Sequence, residues 1–208
     1  MKDSGLKNMS GNKVLRSSAD KTRKVILETA LKEFAQNGYS ATTMRKIAKT
    51  ASVNLNLICH HFKRKKLLWE AVRDMLADKY SEQYSPKLSD NYDLKSFLSK
   101  YVDDRFEFFR NNPQILRFIK WQKLETEEGL HFKHPIYVKI FRPAFVKMQY
   151  KKQIRQDIDV DSIARLIASV IIGALEHDIG TFDTNAPRNV QKKYINFIVD
   201  SLYKALNN

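Results

Sequence analysis

From Ile26 onward, the apolar residues of this chain return every three or four positions and nowhere alternate for long. Ile26, Ala30 and Phe34 form one such series, with Leu27, Leu31 and Ala35 beside them. Ile47, Ala48 and Ala51 form a second, and Leu67, Leu68, Ala71, Val72, Met75 and Leu76 a third. That spacing lines one side of an α-helix, whereas a half-buried strand needs a period of two. The chain is therefore read as all-α. Composition closes other routes. One cysteine excludes a disulfide scaffold, and 6 Gly and 5 Pro in 208 residues exclude collagen-like or low-complexity sequence. No stretch approaches the roughly 18 unbroken apolar residues of a membrane span.

The pattern also divides the chain. Residues 1–20 lack periodicity and are rich in Lys, Ser, Asn and Gly, so they read as a mobile basic tail with no apolar core of a secretory signal. A helix from Thr22 should stop near Gly38. Thr43 is placed to cap a short second helix, and only Ser52 to Asn54 separate it from a third through Ile58 and His61. The stripe from Leu67 then runs out in a polar stretch, 81–92, that contains Pro86. The expected organisation is a tail at 1–20, an N-terminal domain at 21–80 and a C-terminal helical domain at 93–208. Five further helices are expected in the latter: 93–110, one opening at Pro113, 136–154 kinked at Pro143, 161–180 and 187–206. The last repeats Val190, Tyr194, Ile198 and Leu202.

Charge is distributed as unevenly as the motifs. Residues 1–66 hold 15 Lys/Arg and 4 Asp/Glu, a net of +11 out of +14 for the whole chain. A basic excess confined to one segment points to a polyanionic partner there. The same segment carries two short helices joined by a tight turn, the plan in which the second helix of the pair enters the major groove of DNA.

The residues go further. The run TRKVILETALKEFAQNGYSATTMRKIAKTASVNLNLICHHFKRKKLLWEAV resembles the DNA-binding domain of tetracycline-repressor-like (TetR-family) transcriptional regulators. The resemblance rests on Ile-Leu with Ala-x-x-x-Phe-Ala, on Asn-Gly-Tyr-x-Ala-Thr-Thr, and on Ile47-Ala48 and Ala51-x-Val53. It continues through His60-His61-Phe62, Lys65 and Leu67-Leu68. It implies an N-terminal three-helix helix-turn-helix domain and a variable C-terminal ligand-binding and dimerisation domain. The implied protein is a ligand-responsive repressor, cytoplasmic and homodimeric, on a palindromic operator. Its two C-terminal helices would pair with their symmetry mates, and Gly173 would let another helix approach closely. Four departures stand out: Ser52 where the family often has Gly, Leu57 where it often has Thr, Cys59 where it often has Tyr, and Asn56 in place of a small residue or Pro.

Chemistry assigns roles to ten residues. Thr43 caps the first helix of the pair and can meet a phosphate, and Arg45 can reach a phosphate or a guanine edge. Asn54, Leu55, Asn56 and Leu57 open the second helix, where bases are read; Asn suits adenine and Leu a thymine methyl, so an A/T-leaning half-site is expected. Cys59 lies in the same helix, either as a small hydrophobe or as a redox-sensitive thiol. The resemblance sets His60, His61 and Lys65 against the DNA backbone, where contacts position without reading sequence. For Thr43, Asn54 and Asn56 the competing explanation is plain capping and turn chemistry. Val53, Ile58 and Phe62 are core by spacing.

In the C-terminal part, 12 of the 23 aromatics fall between Phe97 and Tyr150. An aromatic-rich bundle can enclose an apolar or aromatic small molecule, though ordinary core packing would use the same residues. Candidate ligand contacts are Arg105, Phe109, Phe118, Trp121, Gln122, Phe141, Phe145 and His177. No cofactor or metal is expected. His131 and His134, with Glu127 and Glu128 nearby, flank Gly129 and Pro135 and so read as a loop, and no phosphate loop or nucleophile elbow occurs. A non-specific DNA-coating protein and, further off, a helical small-molecule-binding protein, an enzyme or a protein-interaction adaptor are the competing readings.

Overall fold

The structure is a computed structural model that describes residues 6–84, 93–125, 141–177 and 188–207. The described residues form helices α1 (Leu6–Ala41), α2 (Met44–Thr50), α3 (Leu55–Phe62), α4 (Lys65–Tyr84), α5 (Leu94–Asn111), α6 (Pro113–Glu125), α7 (Arg142–Tyr150), α8 (Val160–His177) and α9 (Arg188–Leu206). No strand occurs among them. Helix α1 reaches back to Leu6, across sequence whose composition reads as a tail. At its other end the chain kinks at Gly38, whose φ of 77° lies in the left-handed region that glycine enters without a steric penalty.

The chain divides into two compact units. The first comprises 1–76 and 117–127, the second 77–116 and 128–208. The division falls inside α4 and α6, away from the polar stretch at 81–92, which lies outside the described residues apart from its first four positions.

In the first unit the stripe Ile26, Ala30 and Phe34 is fully buried, together with Ile47, Ile58, Leu68 and Val72. Phe34 meets Trp69 edge-on at 4.8 Å, and Trp69 lies 4.2 Å from Phe118 of α6. Phe118 and Trp121 thus belong to the packing of the first unit. The Trp121 indole N–H donates to the Ala35 carbonyl at 3.3 Å. A Cβ on Gly38 would fall 2.9 Å from the Trp121 ring and 2.7 Å from Glu125 Oε1, a second reason for glycine there.

In the second unit α5 packs against α8 and α9, and α7 against α8. Leu94, Phe97, Leu98, Val102, Phe106 and Phe109 give α5 its buried face, and Ile163, Ile167 and Ile171 that of α8. On α9 the expected repeat splits. Ile198 and Leu202 are buried, Tyr194 is half-buried, and Val190 is exposed. Pro143 occupies the first turn of α7, and the expected start of this helix at 136 lies outside the described residues. Residues 126–140, with His131 and His134, lie outside the described residues.

Candidate nucleic-acid interface

The turn between α2 and α3 is built from backbone. The Val53 N–H donates to the Ala48 carbonyl at 3.0 Å and the Ser52 N–H to the Lys49 carbonyl at 3.2 Å. This pair of bonds closes a left-handed helix cap and places Ser52 at φ 54°. That conformation is the physical reason a glycine suits the position, and Ser52 adopts it without one. Asn54 follows immediately as the N-cap of α3, its Oδ1 accepting from the Asn56 N–H at 2.8 Å. Thr43 does the same for α2, its hydroxyl accepting from the Lys46 N–H at 3.1 Å.

These two caps and one short turn fix which side of α3 faces inward. Ile58 and Phe62 are buried. Val53, read as core from its spacing, is half-buried. Asn54, Asn56, Leu57, Cys59 and His60 are exposed, and Leu55 and His61 are half-buried. Arg45 is exposed in the first turn of α2. Leu57 presents a large apolar side chain to solvent, 37% accessible, in the middle of a polar helix face. Residues 44–66 carry seven Lys/Arg and no Asp or Glu, so the exposed face of α3 lies within a one-signed basic run.

Lys65 is placed differently from its sequence neighbours. Its Nζ donates to the carbonyls of Tyr39 at 2.8 Å, Thr42 at 3.0 Å and Ser40 at 3.4 Å. It also sits 4.3 Å from the Tyr39 ring centroid. The ammonium thus gathers two carbonyls of the last turn of α1 and that of Thr42, which follows it.

A second brace was not foreseen from the sequence. Glu33 on α1 is buried; its carboxylate accepts from the Thr50 hydroxyl at 2.8 Å and pairs with Lys46 Nζ at 3.0 Å. Asn37 Nδ2 also donates to it at 3.2 Å, and the buried Thr42 hydroxyl donates to the Gly38 carbonyl at 2.7 Å. Glu33 thereby ties both ends of α2 to α1. The available signal is positional: Glu33 falls on the line of Ile26 and Ala30, where a carboxylate has no place unless it is paired.

The eight candidate ligand contacts do not come together as one set. Phe118, Trp121 and Gln122 belong to the first unit, and Arg105, Phe109, Phe141, Phe145 and His177 to the second. Tyr101 links part of the latter group, lying 4.9 Å from Phe141, with Phe97 stacked on it at 5.8 Å and Phe145 edge-on to Phe97 at 5.4 Å. Among the described residues no three His, Cys, Asp or Glu side chains converge as metal ligands do, and no helix is long and apolar enough to cross a membrane.

A capped helix pair whose second helix, α3, shows a polar outer face flanked on both sides by basic residues is the helix-turn-helix arrangement of DNA-binding proteins. Residues 26–72 match the family model described as bacterial regulatory proteins, tetR family. That segment carries the helix-turn-helix DNA-binding domain of TetR-family transcriptional regulators. The chain's relatives include the probable HTH-type transcriptional regulator YttP of Bacillus subtilis, 32% identical over 47% of this chain and 48% of that protein. The match thus spans about half the length of that relative. The HTH-type transcriptional repressor NicS of Pseudomonas putida is 22% identical over 93% of this chain and 96% of its own. A TetR-family transcription regulator from Marinobacter aquaeolei has the same fold, with a TM-score of 0.71 at 16% identity, covering 93% of this chain and 99% of that one.

Proposed function

We propose that this protein is a cytoplasmic repressor that holds a palindromic operator as a homodimer and releases it when a small molecule binds its second unit. The observation that carries the reading is the exposed face of α3, with Asn54, Asn56, Leu57, Cys59 and His60 set in a run of seven basic residues without an acid. Asn56 and Leu57 supply a donor–acceptor pair and an apolar contact for base edges, and Arg45 and His61 flank them for the phosphates. Repression is favoured by the likeness to NicS over nearly the full chain.

Dimerisation through α8 and α9 is supported by what those helices leave uncovered. Leu166 on α8, and Val190 and Phe197 on α9, are exposed, Phe197 by 67%. Gly173 on α8 has open space where a Cβ would stand. A two-fold pair of α3 helices would then read half-sites roughly 34–36 Å apart, or a multiple of that. An apolar or aromatic effector is supported by the ring cluster around Tyr101 and Phe141 with Arg105 and Phe109 on the same helix as Tyr101. Release requires that the effector bind the DNA-incompetent arrangement more tightly.

Selection from a random duplex pool at about 150 mM salt, followed by sequencing, tests the reading. An enriched inverted repeat is the expected result. Binding without an enriched motif would identify a non-specific DNA coater instead, because such affinity is almost wholly electrostatic.

A further inference from the structure

The basic excess of the first 66 residues is not confined to the helix pair. Residues 6–24, the opening of α1, hold six Lys/Arg (Lys7, Lys13, Arg16, Lys21, Arg23 and Lys24) and one acid, Asp20, a net of +5. This stretch is helical, yet it precedes the core. Among the described side chains of α1 the first buried one is Ile26. Between positions 19 and 25 only Thr22 is half-buried, and Lys21, Arg23 and Lys24 are exposed. A polar helix outside a core draws little stability from packing, and Ser10, Gly11 and Asn12 are weak helix formers in its middle. Charge is what this segment has to offer a partner.

Its seat in the first unit says which partner. The Arg23 guanidinium carbon lies 5.2 Å from the centroid of the Phe62 ring, and Phe62 is the last residue of α3. The basic opening of α1 therefore joins the unit at the C-terminal end of α3, beside the exposed His60 and the half-buried His61. From Arg23 back to Lys7, a helix spans about 24 Å, which matches about seven successive phosphates along one DNA strand. A solvated charge run would account for the composition alone; the contact of Arg23 with the end of α3 ties that run to the duplex that α3 enters.

We propose that the opening of α1, Lys7–Lys24, is a second DNA-binding element, which grips the phosphates flanking each half-site and adds affinity without reading bases. Duplex DNA is the partner because its backbone presents a regular row of anions to cations spread along a helix. The proposal rests on the reading of α3 as the helix that enters the major groove.

The test compares three full-length proteins: the natural chain, one with Lys7→Gln, Lys13→Gln, Arg16→Gln and Lys21→Gln, and one with Lys7→Arg, Lys13→Arg and Lys21→Arg. Arg23 is kept, since it packs on Phe62. Fluorescence anisotropy across a salt series reads binding to the selected inverted repeat, either blunt-ended or flanked on each side by about 10 base pairs, one helical turn. A scrambled duplex of the longer length is measured in parallel. The natural protein should bind the flanked repeat about tenfold or more tighter than the blunt one, and the glutamine variant should lose that difference. On the flanked repeat the glutamine variant should also show a slope of log affinity against log salt shallower by about two or more. Its ratio of repeat to scrambled affinity should stay that of the natural protein, and the arginine variant should keep both affinity and slope. Thermal melting by circular dichroism confirms that the variants keep the natural fold. If the glutamine variant matches the natural protein in affinity and slope on both repeats, the α1 proposal falls and the reading of α3 stands. A changed ratio of repeat to scrambled affinity would make the segment a reader of sequence and overturn the phosphate grip. Binding without an enriched motif removes α3 as a reader, and the salt slope on the scrambled duplex then decides for α1 alone. If the natural chain binds no duplex, both readings fall together.

Discussion

Lys65 has three N–H donors and three carbonyl partners, and that arithmetic changes what its removal should do. As a phosphate contact, its loss would weaken binding to every sequence and lower the salt slope by about one. Held as it is by the carbonyls of Tyr39, Ser40 and Thr42, it anchors the chain between α1 and α2. Lys65→Ala should therefore lower stability by about 2 kcal/mol and weaken all DNA sequences, with the slope of log affinity against log salt unchanged. Denaturant unfolding and a salt titration of binding check the two halves separately. Asn54 poses a similar choice between cap and reader. Asn54→Ser keeps a capping oxygen and removes the amide, so stability should hold while sequence preference shifts in a repeat of the selection. If neither changes, Asn54 is a cap only. Individual residue types pointed correctly to capping at Thr43 and Asn54, because a cap is a local bond between near neighbours. The Lys65 contacts and the Glu33 contacts to α2 were not legible, because they join residues 13 to 26 positions apart that meet only once α1, α2 and α4 have packed.

Helix ends are where sequence and backbone meet most directly. Ser52 bears a left-handed conformation that L-residues with a Cβ enter at a penalty of roughly 1–2 kcal/mol. Ser52→Gly should raise stability by about 1 kcal/mol and leave α3's exposed face as it is, measured by melting temperature and operator affinity together. At α5 the cap is a charge. Hydrogen bonds from the Ser96 backbone N–H and hydroxyl hold the Asp93 carboxyl below the ordinary carboxylate range. A depressed folded-state pKa means that this stabilisation is present above about pH 4 and is lost as pH falls through the folded value. Asp93→Ala should destabilise by about 1 kcal/mol at neutral pH and by less as the medium becomes acidic, followed by urea denaturation across pH. The short helices were readable because their caps and stops are local. The start of α1 was not, since composition cannot say whether a polar stretch continues a helix.

At the scale of the molecule, the exposed ring of Phe197 carries the dimer proposal. Phe197→Glu should yield monomers by sedimentation and lose most affinity for the inverted repeat while retaining weak binding to a single half-site. A dimer that survives the substitution would put the interface elsewhere. The helical class and the TetR-type helix-turn-helix segment were legible in the chain because a helical period and a basic run with helix-turn-helix spacing are written in consecutive residues. The split of the aromatic residues was not. Phe118 and Trp121 lie within the same aromatic-rich stretch as Phe109 and Phe141, yet they pack with Phe34, Trp69 and Gly38 in the other unit. Periodicity states that a side chain is buried; it carries no address for the helix that buries it. The all-helical architecture, the caps of α2, α3 and α5 and the outward residues of α3 follow from local rules that act within a few positions. The anchoring of Lys65, the Glu33 brace and the seating of Arg105 against Tyr80 and Tyr101 depend on long-range packing, in which a charged group's role is set by whichever partners the folded chain brings to it.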